Sequence, residues 1–274
     1  MARSYDEKCE AETAASGTIV EAYRQALDSD DDDSGISLAV VHYRGGQTEF
    51  DLGCYYAAGE DALDRVTGAA VLSQLGWGKD CFHDESVEVL LRLVGDPDER
   101  VIVAAAYALG HRRSVRGIPV VLPLIYHPNA GVRYAVVHAL TGQEEGAALA
   151  GLIVLAGDAD RDVRNWAAFG LGTISDMDTP EIRDALAPLL DEPDAEIRGE
   201  ALIGLAKRHD PRAAPALMRE LAGSFHGNWC LEAAELLGRP ELLPLLLELR
   251  AKICPKDEAA FSAYLDQAIA ACSR

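Results

Sequence analysis

The chain has 274 residues, with 45 acidic against 25 basic side chains and a formal net charge of -20. Such a surface repels phosphate backbones and anionic headgroups, which excludes non-specific binding to nucleic acid or membranes, and no apolar stretch approaches the roughly 20 residues that span a bilayer. Hydrophobic residues make up 49% and aromatic residues only 6%, an Ala- and Leu-rich balance that favours helix-on-helix packing over a sheet.

The opening MARSYDEKCEAE lacks the apolar core of a secretory signal. The run DSDDDDSG from Asp28 to Gly35 spaces Asp30, Asp32, Ser34 and Gly35 like the start of a calcium loop. Its twelfth position is Val41, where a bidentate glutamate is required, so it reads as a solvated loop. Residues 36–58 admit two readings. SLAVVHY and TEFDLGCYY flank an RGG turn as a β-hairpin would, whereas the repeat register described next favours helices, the reading adopted here.

From residue 61 the chain repeats itself: DPDERVIVAAAYALG from Asp96, HPNAGVRYAVVHALTG from His127, DADRDVRNWAAFGLG from Asp158 and EPDAEIRGEALIGLAKR from Glu192. Each copy runs from a polar turn through a β-branched residue, often Arg, and Ala or Val to a closing Leu at 109, 140, 171 or 205. The register extends back to Leu75 and Val41 and forward to Leu237 and Ile269, in steps of 31–34 residues. Apolar positions recur at i, i+4 and i+8, as in Val132, Val136 and Leu140, which puts them on one face of a helix. An amphipathic segment precedes each marked helix, for example SVEVLLRLVGD from Ser86 and GIPVVLPLIYH from Gly117. The unit is therefore a helical hairpin that buries its apolar faces only by stacking on its neighbours. Asp-Pro, Glu-Pro and His-Pro turns stop one helix and cap the next.

These features resemble the HEAT-repeat family, in particular the short bacterial kind grouped with phycobilisome-lyase-like repeats. The resemblance rests on first-helix prolines (Pro119, Pro123, Pro188, Pro215, Pro244), turn aspartates (Asp64, Asp98, Asp160, Asp194) and the pairs Val132-Arg133, Val163-Arg164 and Ile197-Arg198. Departures fall at Ile102, Asn129, His226, Trp229 and Cys230. The resemblance implies an all-α, right-handed α-solenoid of about eight HEAT-like hairpins. It would fill residues 1–274 as one solenoid, with divergent capping units over 1–60, core repeats over 61–255 and a C-terminal capping helix over 256–274. In this family the repeated Arg pairs with the turn Asp of an adjacent unit, which assigns Arg133, Arg164 and Arg198 to a structural ladder with Asp160 and Asp194.

Catalytic signatures are missing: there is no phosphate-cradling glycine loop, nucleophile elbow or H-E-x-x-H, and no His-Glu dipeptide of the kind that ligates iron in lysine-hydroxylating relatives. CFHDE at Cys81–Glu85 gathers a thiol, an imidazole and two carboxylates, yet it reads more simply as a helix entry at Asp84. The six cysteines, at 9, 54, 81, 230, 254 and 272, show no ligand spacing and read as buried hydrophobes in a reducing, cytoplasmic compartment. No catalysis, cofactor or metal is expected.

In a solenoid of this type the second helices line the concave face, which singles out Tyr107, Tyr134, His138, Asn165, Trp166 and Phe169 as a ring-bearing stripe. Glu200, Ile203, Glu232 and Glu235 continue it as an acidic flank. Rigid rings beside carboxylates fit a protein partner with a basic surface. The expected function is a non-catalytic, monomeric adaptor or inhibitor, immunity-type in one version, that binds neither nucleic acid nor membrane. A HEAT-like lyase or other repeat-fold enzyme is the alternative.

Overall fold

The structure, a computed structural model, describes residues 16–28, 37–79, 81–223, 227–252 and 259–273. The calcium-like run after Asp28, the first fifteen residues, His226, Cys9 and Cys254 lie outside them. Among the described residues there are sixteen α-helices and no strand. These divide after Leu140 into two compact units. The first holds α1 (Ser16–Asp28), α2 (Ala39–Arg44), α3 (Gln47–Ala57), α4 (Ala62–Leu72), α5 (His83–Leu93), α6 (Glu99–His111), α7 (Ile118–Val121) and α8 (Ala130–Leu140). The second holds α9 (Gly146–Leu155), α10 (Arg161–Phe169), α11 (Pro180–Leu186), α12 (Ala195–Lys207), α13 (Ala213–Leu221), α14 (Asn228–Leu237), α15 (Leu243–Lys252) and α16 (Ala259–Cys272).

Each unit has two layers. In the first unit α3, α4, α6 and α8 lie side by side, backed by α1, α5 and α7; in the second unit α10, α12, α14 and α16 do so, backed by α9, α11, α13 and α15. The apolar face read from the sequence is the one that is buried. Val101, Ala105 and Leu109, then Val132, Val136 and Leu140, then Val163, Ala167 and Leu171, then Ile197, Ala201 and Leu205 are all core residues. Ile203 is core as well, not a groove residue.

The turns carry the caps. Asp61, Asp98, Asn129, Asp160 and Asp194 each accept, through a side-chain oxygen, the backbone N–H two residues on, which satisfies one of the free donors at a helix start and is worth about 1 kcal/mol each. Asn129, a departure from the Asp pattern, performs the same task. In the first-helix layer the prolines shape the helix end: α7 and α11 tighten into 3-10 turns at Leu122–Tyr126 and Ala187–Asp191, where Pro123 and Pro188 supply no N–H for an α-helical bond.

Residues 39–44 and 47–57 are helical, so the β-hairpin alternative is not what the chain adopts. Two details of the extrapolated register change here. Arg65, at the fourth position after the cap Asp61, stands where Arg133, Arg164 and Arg198 stand in their repeats, so Leu72 and not Leu75 is the equivalent closing Leu, and the capping aspartate is Asp61 and not Asp64. Nor is Val41 a second-helix marker; it lies in the short α2, and the helix beside α4 is α3. No first-layer helix fits between α3 and α4, and α1 lies against both. Their close approach needs Gly53 and Gly68: a Cβ on Gly68 would sit 2.2 Å from the Ala57 nitrogen.

A buried arginine closes α6 and α12. Arg208, 5% exposed, donates to the carbonyls of Leu171, Gly172, Ser175, Met177 and Gly204. Arg112 does likewise with Leu72, Leu75 and Cys81. Each cation thus sits at the carbonyl end of the preceding helix of its own layer, where the helix dipole favours it. Burial holds the Arg208 guanidinium below its ordinary range. Arg208→Ala strips several buried carbonyls of their donor, so it should lower unfolding free energy by about 3 kcal/mol; a urea titration of both proteins reads the loss, and a change under about 0.5 kcal/mol contradicts the capping role.

Candidate protein-binding face

The second-helix layer presents the side chains that the core does not absorb. In the first unit Tyr107 on α6 meets Tyr134 and His138 on α8. Ring centroids are 4.7 Å apart for Tyr107 and His138, 4.9 Å for Tyr134 and His138, and 6.3 Å for the two tyrosines. Gly110 makes this possible, because a Cβ there would lie 2.8 Å from the His138 carbonyl and force the helices apart. All three rings are half-buried. Burial pushes the Tyr107 phenol up to about 12 and holds His138 below the usual imidazole range, so at neutral pH the cluster is an uncharged, ring-lined surface.

In the second unit Trp166 and Phe169, one helical turn apart on α10, meet edge to face at 5.4 Å. Beside them the Asn165 side-chain oxygen is buried and, among the described residues, has no hydrogen-bond partner. Past Phe169 the helix widens into a π-turn, Gly170–Ile174, closed by Ser175 N–H donating to the Gly170 carbonyl. The turn lets Gly172 approach α12 so closely that a Cβ would sit 2.5 Å from the Glu200 carbonyl. It also aims the Thr173 hydroxyl at the Glu200 carboxylate, which accepts its proton at 2.7 Å. Burial raises the Glu200 carboxyl above its ordinary value; the Thr173 bond opposes the rise, and the charges of Glu232 and Glu196 add to it.

Glu232 and Glu235 on α14 are exposed. The flank is less purely acidic than expected, since Arg161 on α10 reaches across to Asp194, at 2.9 Å, and to Glu196. Trp229, which sequence reasoning treated only as a departure from Val-Arg, lies half-buried over the backbone of Gly199 and Gly227; a Cβ on Gly199 would meet its ring at 2.7 Å. Of its two glycine neighbours only Gly227 is local in sequence, so the Gly199 contact was not legible there.

The arginine ladder exists, with different partners from those expected. Arg164 pairs with Glu192 at 3.2 Å, Arg198 with Glu220 at 2.7 Å and Arg65 with Asp96 at 2.6 Å. Those acids end the next first-layer helix or open the next turn, whereas Asp160 and Asp194 are occupied as helix caps.

Of the CFHDE segment, Phe82 stacks on Phe50 at 4.6 Å and His83 Nε2 lies 2.9 Å from the Arg112 carbonyl. The residue before α5 is Phe82, with Asp84 and Glu85 in the first turn, so Asp84 is not itself the cap. Among the described residues no group of three or more His, Cys, Asp or Glu side chains could hold a metal ion, and no helix is long and apolar enough to cross a membrane.

Stacked helical pairs, capped at each polar turn and tied by a repeating arginine, define a helical-repeat protein. A sequence model of HEAT repeats matches residues 57–141 and 149–236, and the chain belongs to that family. It is similar to Protein YibA of Escherichia coli strain K12, 31% identical over 218 residues that make up 77% of each chain. The X-ray structure of YibA superposes with a TM-score of 0.74 at 26% identity, covering 100% of this chain and 98% of that one. An engineered protein follows at a TM-score of 0.58 and 15% identity, covering 93% of this chain and 78% of that one, a likeness of fold alone. The fold class is the all-α, HEAT-like repeat solenoid.

Because the folded state holds the Glu200 proton more tightly than the unfolded chain does, wild-type stability should fall as pH rises from the ordinary value of 4.5 through the raised folded value. Glu200→Gln removes that slope. The variant should therefore gain on the wild type across this window and then hold a constant advantage; a stability difference that stays flat from about pH 4 to about pH 8 contradicts the raised carboxyl.

Proposed function

We propose that this HEAT-repeat chain is a non-catalytic adaptor or inhibitor that grips another protein through its second-helix layers. The observation that carries the reading is the placement of the scarce aromatic rings. Tyr107, Tyr134 and His138 in one unit, and Trp166 and Phe169 in the other, stand half-buried on second-layer helices, with part of each ring open to solvent. Rigid rings of this kind bury much area on binding for little loss of side-chain entropy, which is why they dominate binding energy at protein interfaces.

The exposed carboxylates Glu232 and Glu235, and a net charge of -20, favour a partner with a basic surface, and electrostatic steering would speed its approach. An immunity-type inhibitor of a basic toxin or nuclease is the version that this charge supports. The same charge disfavours nucleic acid and anionic membranes as ligands. Burial pushes the Cys230 thiol well up, which suits an inert reduced cysteine in a cytoplasmic, monomeric protein.

Affinity capture from host lysate, with the intact chain and with a Tyr134→Ala, Trp166→Ala, Phe169→Ala variant as baits, tests the reading. The expected result is a basic protein retained by the wild type, released as salt rises and recovered at least about tenfold less by the variant, whose circular dichroism is unchanged. Identical recoveries with both baits would remove the ring-bearing helices from the interface.

A further inference from the structure

The first unit also contains a cavity of 470 Å³, built between the turn after α4 and the end of α6, with His111 of its lining close to His138 of the ring cluster. That volume falls within the roughly 300–1,000 Å³ of small-molecule sites. Its lining includes Gln74, Trp77, His83, His111, Arg112 and Arg113, and none of its nine lining residues is acidic. In a chain with 45 acidic residues to 25 basic ones, a basic cavity is unexpected from composition.

The walls are held in place by backbone interactions. Gly76 N–H donates to the His42 carbonyl at 2.7 Å, and Trp77 N–H shares that acceptor. Gly76 at φ +76° and Gly78 at φ +80° take the left-handed conformation that lets the turn fold over Cys81; a Cβ on Gly76 would meet the Cys81 sulfur at 2.5 Å. Arg112, 4% exposed, is fixed by the carbonyls of Leu72, Leu75 and Cys81 and by the Ser86 hydroxyl, which makes it a rigid positive element of the lining. His83 is oriented by its contacts with the Arg112 carbonyl and with Asp84.

Two groups point to a ligand. Trp77 lines the cavity yet is 60% exposed, an open ring face on a fixed turn. Arg113 is exposed, and among the described residues its side chain has no hydrogen bond or ion pair. Its backbone, at φ +49°, holds it there. His209 follows Arg208 at φ +48° as Arg113 follows Arg112, but around it the cations are engaged by acids: Lys207 with Asp176 and Arg183 with Asp178. In the first unit the equivalent corner keeps its positive charge available.

We propose that this cavity binds a small molecule that joins a phosphate or carboxylate to a flat ring, the anion on Arg113 and the ring against Trp77. A guanidinium offers an anion two parallel hydrogen bonds, and an indole face offers a ring its stacking area. The cavity lining includes none of the residues on which the protein-binding reading rests.

Phenyl phosphate, benzoate and the uncharged benzyl alcohol serve as probes, followed by ligand-observed NMR and by tryptophan fluorescence, with Trp77→Phe assigning the signal among the three tryptophans. At least one of the two anions should bind saturably and compete with the other, while benzyl alcohol binds at least about tenfold more weakly. Whichever anion binds tighter identifies the preferred head group. Arg113→Asn keeps a residue that tolerates the left-handed backbone, so it should fold normally and weaken binding by about tenfold or more. Saturable binding of neither anion, or unchanged affinity in Arg113→Asn, overturns the proposal.

Discussion

One arginine, four residues after the helix cap, organises the turns on which the repeats depend. Its Nη1 donates to the two carbonyls just before the cap: Gly59 and Glu60 for Arg65, His127 and Pro128 for Arg133, Asp158 and Ala159 for Arg164, Glu192 and Pro193 for Arg198. Those carbonyls belong to the turn that follows the preceding helix, a first-layer one for Arg133, Arg164 and Arg198 and α3 for Arg65, where no intrahelical donor reaches them. In Arg65, Arg164 and Arg198 the remaining donors extend to an acid of the next repeat. A planar guanidinium with five N–H groups does both at once, and an ammonium cannot. Part-exposed pairs of this sort are worth about 1 kcal/mol or less, so their main effect is to set how one hairpin sits on the next. Where Ile102 takes the position, the side chain goes into the core and Arg100 instead pairs with the cap Asp98.

A second kind of arginine works at the other end of the second-layer helices. Apart from the bonds to Gly204 and to the Ser86 hydroxyl, Arg112 and Arg208 spend their donors on carbonyls 31 to 40 residues back in the chain, so each stitches a helix end to the preceding repeat. In the first unit the same side chain lines a cavity, and the left-handed residue that follows it brings a cation to the opening. A stability device and a candidate binding corner therefore share one buried charge, and a change at Arg112 would disturb both.

Close backbone approaches decide where the rings lie. Gly110 against His138, Gly172 against Glu200 and Gly204, and Gly199 beneath Trp229 bring second-layer helices near enough for their side chains to meet across the gap. Tyr107, Tyr134 and His138 touch because of the first of these, and Thr173 reaches Glu200 because of the second. Trp229 lies against the third, half-buried over the Gly199 backbone.

What the sequence by itself determined is local: the helical hairpin, its capping residues, the buried i, i+4, i+8 face and the residues standing on the second helices. Periodicity and capping act within one or two turns of chain, so they are legible in a single copy and reinforced by the others. The helical character of residues 39–44 and 47–57 was expected against a hairpin-like composition, though the repeat register that suggested it does not hold there. Only the tertiary structure decided which acid each arginine meets, because Glu192, Glu220 and Asp96 are chosen by the rise from one repeat to the next and not by proximity in the chain. It also moved the register from Leu75 to Leu72, since the turn between α4 and α5 is longer than the turns after the later second-layer helices, and it removed Val41 as a marker because α3 pairs with α4 with no first-layer helix between them. The Trp77–Arg113 cavity was hidden as well: its walls come from two turns more than thirty residues apart, which the packing of α4 on α6 and the buried Arg112 bonds bring together.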